Sequence, residues 1–396
     1  MMNGLSAAIG VSDRTDAHLA GKEAAERAAE RLSPRRPNAA LLFASSWFNQ
    51  THVLQGVQTI TADTPLIGGS TAGELSPQGP SSGSCAVMLL SAEGLVAGVG
   101  MGEGLDQLPR EAGRKAAAEA ARAFHHHQRA GFLVISDGLS DGYADAARGM
   151  EEVLGVNSLI VGGMAGDDGR FTRTYQYAHG HAVSRAVVGL LLGGGIKIGV
   201  GIAHGFAPIS KPRRISRSRG AILYELDGRP AASVYEEYLG AEELARWQQA
   251  GAARQGFAYP LGVQPEGTEE RLLRNVVSFG QHGSLLCSGD MPDGAWVQLM
   301  IGNKEQTLEA ARHAVQHALR PLSHVSGAIV FESAMRRTVL GAEYAVRELA
   351  GIRKGLGASV PFIGCYTYGE QAPWGMRETE RTAIHIGSVL VIALGT

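Results

Sequence analysis

Apolar residues along the chain follow one pattern three times: an apolar strand, an amphipathic helix and a second apolar strand. Each second strand ends in a turn of small residues that leads to Gly-Glu or Gly-Asp. Strands rich in Val, Ile and Leu on both sides of a helix are typical of βαβ units whose strands are buried on both faces. The first strands cover residues 39–46, 131–136 and 327–333, and the second strands with their turns cover residues 65–77, 158–168 and 361–373.

Two of the closing turns are close copies of each other. Pro65–Pro77 reads PLIGGSTAGELSP and Pro361–Pro373 reads PFIGCYTYGEQAP, so that seven of thirteen positions are identical. Similarity within one chain indicates that a structural module has been reused. The repeated turn is therefore predicted to be a corner that related α/β units have in common.

A second internal similarity joins residues 86–102 to residues 187–203, where Gly94, Gly98, Val99 and Gly100 fall on Gly195, Gly199, Val200 and Gly201 at an offset of 101 residues. Both segments are apolar around a glycine turn, and each is predicted to form a β-hairpin. The expected fold class is α/β, with two domains of repeated strand–helix–strand units whose mixed β-sheets are covered by helices. The first domain is expected at 37–220, built from two related halves, and the second at 222–393.

Composition narrows the class of protein. The chain has 396 residues, 44% hydrophobic and 19% charged, which indicates a globular protein with more than one core. Its net charge of −2 does not favour a nucleic-acid partner. The most apolar run, Ala186–Ala203, contains Lys197 and several glycines and is interpreted as strands, not as a membrane span. Three scattered cysteines and an N-terminus unlike a signal peptide favour the cytoplasm, with no membrane partner.

Sequence motifs of catalytic sites are absent from the chain or incomplete. The chain has no phosphate loop of the Walker type and no H-E-x-x-H sequence. Ser70 in GGSTAG resembles a nucleophile elbow, but the second glycine comes one residue late. The following segment, ELSPQGPSSG, contains two prolines that exclude the helix such an elbow requires. A hydrolytic enzyme is therefore the least favoured function, since neither a nucleophile nor a base can be assigned.

An arginine-rich segment, Ser210–Gly220, reads SKPRRISRSRG. Alternation places several of its arginines on one side of a strand. We interpret it as a solvated edge strand protected by charge, with an anion or partner site as the alternative.

The Gly-Glu turns carry the chemistry best suited to binding. Backbone amides of a glycine turn at a strand end converge on anions such as a carboxylate. The hydroxyl of Thr71 or Thr367, together with the carboxylate of Glu74 or Glu370, would suit a ligand ammonium group. The rings of Tyr366 and Tyr368 would cover an apolar part of the ligand. The alternative is purely structural, with glycine adopting positive φ, threonine capping the turn and glutamate satisfying loop amides.

Several motifs together resemble the FIST family, named for F-box and intracellular signal transduction proteins. The segments IGGSTAGELSP, IVGGMAGDD and YELDGRPAASVYEEYLG resemble the FIST N-terminal domain. The segments AIVFESAMRR and PFIGCYTYGEQAP resemble the FIST C-terminal domain, and the resemblance covers nearly the whole chain. It implies a non-enzymatic cytoplasmic sensor that binds a small ligand, suggested to be an amino acid. The implied partner is a separate signalling protein, such as a histidine kinase, a cyclic-di-GMP enzyme or a chemoreceptor.

One position departs from the family pattern. Similar proteins often have a cysteine in the segment written here FESAMRR, where this chain has Ser333, which argues against a thiol-dependent role. Arg336 keeps the arginine of the pattern and is expected to pair with a carboxylate. The predicted ligand-binding residues are Gly68, Gly69, Thr71, Glu74, Arg336, Tyr366, Thr367, Tyr368 and Glu370.

The resemblance also implies an alternative function, because some similar bacterial proteins bind haem and act as nitric oxide sensors. Haem needs an axial side chain, usually histidine. The candidates are His204 in GIAHGF and His282 in FGQHGS, and neither lies in a C-x-x-C-H motif. No cofactor is otherwise expected, and no metal site is predicted.

Overall fold

The computed structural model describes residues 4–250, 258–264, 271–373 and 382–396. It divides into two compact units. The first comprises residues up to 203 together with 310–384 and 388–396, and the second comprises 204–309 and 385–387. The predicted α/β class is confirmed, since helices cover mixed sheets. The predicted sequence domains at 37–220 and 222–393 stay a prediction.

The first unit contains three modules of the same plan: strand, helix, strand, helix, strand, a short hairpin and a closing strand. The first module consists of β1 Ser6–Ser12, α1 Ala17–Leu32, β2 Ala39–Ser45, α2 Gln50–Thr61, β3 Leu66–Thr71, β4 Glu74–Ser76, β5 Gly79–Ser81 and β6 Cys85–Ser91. The second consists of β7 Val96–Glu103, α3 Pro109–Ala123, β8 Arg129–Ser136, α4 Tyr143–Leu154, β9 Ile160–Met164, β10 Gln176–Ala178, β11 His181–Val183 and β12 Ala186–Gly193.

The third module opens with β13 Lys197–Ala203 and is interrupted by the second unit. That unit contains β14 Phe206–Pro208, β15 Arg213–Arg219, β16 Ile222–Leu226, β17 Arg229–Pro230, α5 Ser233–Leu239, α6 Ala241–Ala250, β18 Leu261–Gln264, β19 Leu272–Arg274, β20 Val276–Phe279, β21 Leu285–Cys287 and β22 Trp296–Gly302. The module resumes through α7 Lys304–Leu319, β23 Val325–Ser333, α8 Ala334–Leu356, β24 Phe362–Thr367, β25 Glu370–Pro373, β26 Thr382–His385 and β27 Val389–Gly395.

Each module supplies four strands of one six-stranded sheet in the first unit. The three orders are β1-β6-β2-β3-β10-β11, β26-β25-β9-β8-β12-β7 and β13-β27-β23-β24-β4-β5. Strands β2 and β3, β8 and β9, and β23 and β24 pair in parallel, as the three predicted βαβ units require. The short hairpin of each module joins the sheet of another module, in cyclic order. The repeated Gly-Glu corner is therefore the point where the chain crosses from its own sheet to the next.

The inner faces of the three sheets share one hydrophobic core. Leu41 from the first sheet, Leu133 from the second and Ile329 from the third belong to it. The outer faces are covered by α1 and α2, by α3 and α4, and by α7 and α8. This arrangement buries the strands on both sides, which explains their nearly continuous apolar sequences.

The predicted β-hairpins at 86–102 and 187–203 are wrong. Strand β6 pairs with β1 and β2 in the first sheet, whereas β7 pairs with β12 in the second. Likewise β12 belongs to the second sheet and β13 pairs with β27 in the third. The glycine turns around Gly94 and Gly195 are thus the junctions between modules, and the offset of 101 residues is a module repeat.

The second unit has a nine-stranded sheet of order β19-β18-β22-β15-β16-β21-β20, with β14 added to β22 and β17 to β16. Strand β15 lies inside this order, so the predicted edge strand is wrong. Two of its arginines are paired with acidic neighbours, Arg213 at 3.5 Å from Asp227 and Arg217 at 3.1 Å from Glu225. No helix among the described residues is long and apolar enough to cross a membrane.

Candidate functional site

The first Gly-Glu corner connects β3 to β4. The amide of Ala72 donates to the carbonyl of Tyr366 at 2.9 Å, and the Tyr366 amide donates to the carbonyl of Gly73 at 2.8 Å. Gly73 has a φ of +125° and lies against Tyr366, where a Cβ would approach the ring to 3.1 Å. The corner amides are thus used in joining the first module to the third.

Glu74 is fully buried and both of its carboxylate oxygens are hydrogen bonded. Thr71 donates to Oε1, while the Ser84 amide at 3.2 Å and the Ser84 hydroxyl at 2.5 Å donate to Oε2. Burial raises the pKa of Glu74 to about 7, against the opposing effect of the Ser84 and Thr71 hydrogen bonds. Glu74 therefore has the surroundings of a structural side chain.

Glu370 occupies the matching position in the third module but is satisfied differently. Thr367 donates to its Oε1 at 2.6 Å, as Thr71 does to Glu74. Its Oε2 is buried without a hydrogen-bond partner in the described part of the chain. Burial raises the pKa of Glu370 to about 8, opposed by the Thr367 hydrogen bond and then by the charge of Arg336. The two corners are alike in backbone and unlike in how their carboxylates are used.

Arg336 lies in the first turn of α8 and is fully buried, as are Glu332 and Glu348 beside it. Its Nε lies 3.7 Å from Glu332 Oε1, and its Nη2 donates a hydrogen bond to Glu348. Both carboxylate oxygens of Glu332 lack a hydrogen-bond partner among the described residues. Burial raises the pKa of Glu332 well above its usual value, and Glu348 raises it further.

The Tyr366 hydroxyl is also buried without a hydrogen-bond partner within the described ranges. Burial raises the pKa of Tyr366, and the carboxylates of Glu332 and Glu348 raise it further. We call Glu332, Arg336, Glu348, Tyr366 and Glu370 the acid–arginine cluster. Its three carboxyl groups face one guanidinium, so the cluster can hold a proton or the cationic group of a ligand.

The second corner follows β9 and uses aspartates. Asp167 is buried and accepts hydrogen bonds from the Phe171 amide at 2.8 Å and the Arg173 amide at 2.9 Å. It also accepts one from the Tyr368 hydroxyl at 2.5 Å. Burial acts to raise the pKa of Asp167, but these donors, led by Tyr368, hold it below its usual value. Asp168 accepts from Ser46 through both its amide and its hydroxyl.

The glycines predicted to bind a ligand have structural reasons for being glycine. A Cβ on Gly68 would lie 1.8 Å from the Leu42 carbonyl oxygen, and one on Gly69 would lie 2.8 Å from Ile135. Both are buried within β3. They fit the close packing of strands and contribute no turn amide to a binding site.

The predicted residues fall into three groups. Thr71 and Glu74 form the first corner, while Arg336, Tyr366, Thr367 and Glu370 gather in the third module and Tyr368 anchors the second corner.

Burial raises the pKa of the Cys365 thiol, and Glu74 and Glu370 both raise it further. The thiol is thus within electrostatic reach of both glutamates.

Sequence reasoning missed Glu332 and Glu348. Glu332 lies in β23 and Arg336 in the first turn of α8, so the i, i+4 rule for neighbours on one helix does not predict their contact. Glu348 is twelve residues from Arg336, and no local pattern connects them.

The two histidines considered for haem lie in the second unit. His282 is exposed in a left-handed turn, with a φ of +56°, which does not fit the apolar slot that haem requires. His204 is half-buried, and its Nδ1 accepts a hydrogen bond from the Phe206 amide at 2.9 Å. In the described part of the chain, no group of three or more His, Cys, Asp or Glu residues is arranged to hold a metal ion.

Two surface depressions lie away from these residues. One of about 480 Å³ is lined by charged side chains of α3 and α4, including Arg110, Glu111 and Glu152. The other, of about 390 Å³, lies between the β4–β5 turn and α8 and is lined by residues such as Gln78, Val346 and Arg353. Neither is lined by a predicted ligand-binding residue.

Comparison with known proteins identifies two family models in the chain, the FIST N domain over residues 38–229 and the FIST C domain over residues 231–373. An uncharacterized protein of Methanocaldococcus jannaschii is 35% identical over 101 residues, which is 25% of this chain and only 20% of that relative's length. A cyanuric acid hydrolase from A. caulinodans matches 98% of this chain and 99% of its own, at 10% identity and a TM-score of 0.38. A second cyanuric acid hydrolase structure gives the same coverage and identity, with a TM-score of 0.32.

Proposed function

Because the chain belongs to the FIST family, whose domains are associated with signal transduction and small-ligand sensing, we propose that it is a cytoplasmic sensory protein. It binds a small amino-acid-like ligand in the first unit and signals to a separate partner protein. FIST domains are sensory, and the proposed function includes no chemical step. One observation carries the proposed site: buried oxygens of Glu332, Tyr366 and Glu370 lack hydrogen-bond partners among the described residues, in a cluster around Arg336.

Ligand chemistry follows from the charges of the acid–arginine cluster. An ammonium group donates three hydrogen bonds and carries the positive charge that the cluster's excess of carboxyl groups favours. Glu332 and Glu370 are its acceptors, with the Tyr366 hydroxyl as a further polar contact. A ligand carboxylate pairs with Arg336, whose guanidinium geometry suits it, in exchange for the bond to Glu348. A small molecule with both groups, such as an amino acid, meets all of these requirements.

Access requires part of the protein to move, because every residue of the acid–arginine cluster is at most 1% exposed. The segment that would move is Ala334–Leu340, the first turns of α8, which carries Arg336. It ends at Gly341, where φ of +69° and ψ of 174° interrupt the helix. A ligand that replaces Glu348 as the partner of Arg336 would shift this segment, which supplies the conformational signal that a partner protein detects.

A binding screen tests the proposed function. Amino acids, their decarboxylated amines and their deaminated acids are added separately, and unfolding temperature and binding heat are measured. A ligand at one hundred times its Kd raises the free energy of unfolding by about 2.7 kcal/mol. We expect an amino acid to bind and both truncated analogues to bind at least about tenfold more weakly, since each leaves a charged group unpaired.

Glu74 offers a matched control for the site. Glu370→Gln is expected to weaken binding at least about tenfold, because it removes a carboxyl group that becomes a charged acceptor when the ligand ammonium binds beside it. Glu74→Gln makes the same change at the equivalent position, where both oxygens are already bonded by the protein. Equal binding by both variants, or no binding of any amino acid, overturns the proposed site.

A further inference from the structure

An exposed cluster of aromatic and arginine side chains lies where β2 and β9 end. Trp47 is 68% exposed and Phe171 is 56% exposed, which is unusual for residues of this size. The guanidinium of Arg170, the residue before Phe171, lies over the Trp47 ring, 4.4 Å from its centre. We call Trp47, Arg170 and Phe171 the aromatic–arginine patch.

The side chains of this patch are held in place from beneath. Arg170 donates to the carbonyl of Ser46 at 3.1 Å and to the Ser46 hydroxyl at 2.7 Å. Phe171 stacks on Tyr368 with a centroid distance of 4.7 Å and an interplanar angle of 14°. The Tyr368 hydroxyl in turn accepts from the Gly169 amide at 3.0 Å. Such fixed side chains lose little conformational entropy on binding, which is the property of an interface anchor.

The acidic side chains of the same loop are turned inward, and its arginines are exposed. The carboxylate of Asp167 is buried beneath the loop and accepts from its amides, and Asp168 accepts from Ser45 and Ser46. Arg170 and Arg173 remain exposed. The outer surface of the loop is therefore aromatic and cationic, while its carboxylates accept hydrogen bonds from within the protein.

We propose that the aromatic–arginine patch is the docking surface for the signalling partner, and that the partner presents an acidic segment carrying apolar side chains. Trp, Tyr and Arg are the residues that dominate binding energy at protein interfaces, and complementary charge sets the specificity. This inference rests on the proposed function, because it takes from it the existence of a separate partner. It assigns that partner to a surface at the ends of β2 and β9.

A synthetic peptide provides the test. The probe is a fluorescent amphipathic helix with leucine on one face and glutamate on the other, and the control peptide has lysine in place of each glutamate. Binding to the full chain is measured by fluorescence anisotropy. We expect the acidic peptide to bind, the basic peptide to bind at least about tenfold more weakly, and the affinity for the acidic peptide to fall as salt is raised.

Variants locate the binding surface. Trp47→Ala and Arg170→Glu are each expected to raise the Kd of the acidic peptide by about tenfold or more. Leu108→Ala removes an equally exposed apolar side chain elsewhere, 67% exposed, and is expected to leave the Kd unchanged. Equal affinities for the two peptides, absence of binding, or an unchanged Kd in both patch variants each overturn the inference.

Two further measurements separate the remaining outcomes. Sedimentation velocity shows whether Trp47→Ala dissociates a dimer of the wild-type chain, which would make the patch a self-association surface and overturn the partner assignment. Glu370→Gln is expected to bind the peptide normally while losing the amino acid. Failure of the docking surface and failure of the ligand site are therefore distinguishable in the same set of variants.

Discussion

Arg336 and Glu348 are hydrogen bonded to each other across the interruption of α8 at Gly341. Both side chains are fully buried in the first unit. Their bond therefore joins the two parts of α8, Ala334–Leu340 and the remainder of the helix, in a place that water does not reach. Removing one partner of a buried ion pair costs much stability, because the other charge then stays buried without a partner.

Loss of the guanidinium is expected to destabilise the first unit strongly. Arg336→Met keeps much of the side-chain volume but leaves Glu332 and Glu348 without their cation. We expect the free energy of unfolding to fall by about 3–5 kcal/mol, measured by urea denaturation. Arg347→Met is the control, because Arg347 lies in the same helix and is exposed. A cost for Arg336→Met no larger than that of the control would contradict the structural role of the pair.

Stability is expected to depend on pH through Glu370. Burial raises its pKa to about 8, so the folded state holds the proton more tightly than the unfolded chain does. The stabilisation is complete below the ordinary pKa of about 4.5 and is lost as pH rises through 8. One such group changes the free energy of unfolding by at most about 1.4 kcal/mol per pH unit. Urea denaturation from pH 4 to 9 measures the slope.

Glu370→Gln is expected to flatten this pH dependence, because an amide does not ionise. Glu74→Gln is expected to have a smaller effect, since the pKa of Glu74 is raised only to about 7. A Glu370→Gln variant whose stability falls with pH as steeply as that of the wild type would show that other groups cause the dependence.

Three glycines in equivalent strands lie against the backbone of a covering helix. A Cβ on Gly10, Gly100 or Gly201 would lie 1.9 Å from a helix carbonyl oxygen, of Ala24, Ala116 and Ala314 respectively. Alanine at each position is expected to destabilise the chain by about 1–3 kcal/mol, because backbone must move to admit it. Gly4→Ala is the control, since no atom lies within 4 Å of its Cβ. Equal stabilities by thermal unfolding would contradict the close packing.

The βαβ units were predictable from sequence because local periodicity and the burial of parallel strands determine them. The sheet in which each strand pairs was not predictable from sequence. Strands β6 and β7 are apolar neighbours around a glycine turn, and that pattern is the same whether they pair with each other or with distant strands. In the structure these strands pair with partners that are distant in sequence, in two different sheets. The same is true of β15, whose charged residues resemble an edge although both neighbours are strands.

Within the candidate site, the sequence identified the corner residues but not their different uses. Thr71–Glu74 and Thr367–Glu370 have the same spacing and the same internal hydrogen bond. What separates them is Ser84, which satisfies Glu74 from a loop ten residues away. Whether the Glu74 carboxylate receives these hydrogen bonds depends on the path of the loop, and no motif in the segment predicts that path.

The backbone at Gly341 is expected to control the position of Arg336. Its φ of +69° and ψ of 174° lie in a region that is essentially confined to glycine. Alanine there either adopts the strained conformation or extends the helix through the interruption, which pulls Arg336 away from Glu348. We expect Gly341→Ala to lower the free energy of unfolding by about 1–3 kcal/mol.

Gly351 lies further along the same helix and has open space around its Cβ position. Gly351→Ala is therefore expected to raise the free energy of unfolding by about 0.5–1 kcal/mol through helix propensity alone. The two substitutions are chemically identical and lie in one element, so opposite signs in urea denaturation isolate the effect of the interruption. If both variants are stabilised alike, the interruption at Gly341 contributes nothing to holding the Arg336–Glu348 pair.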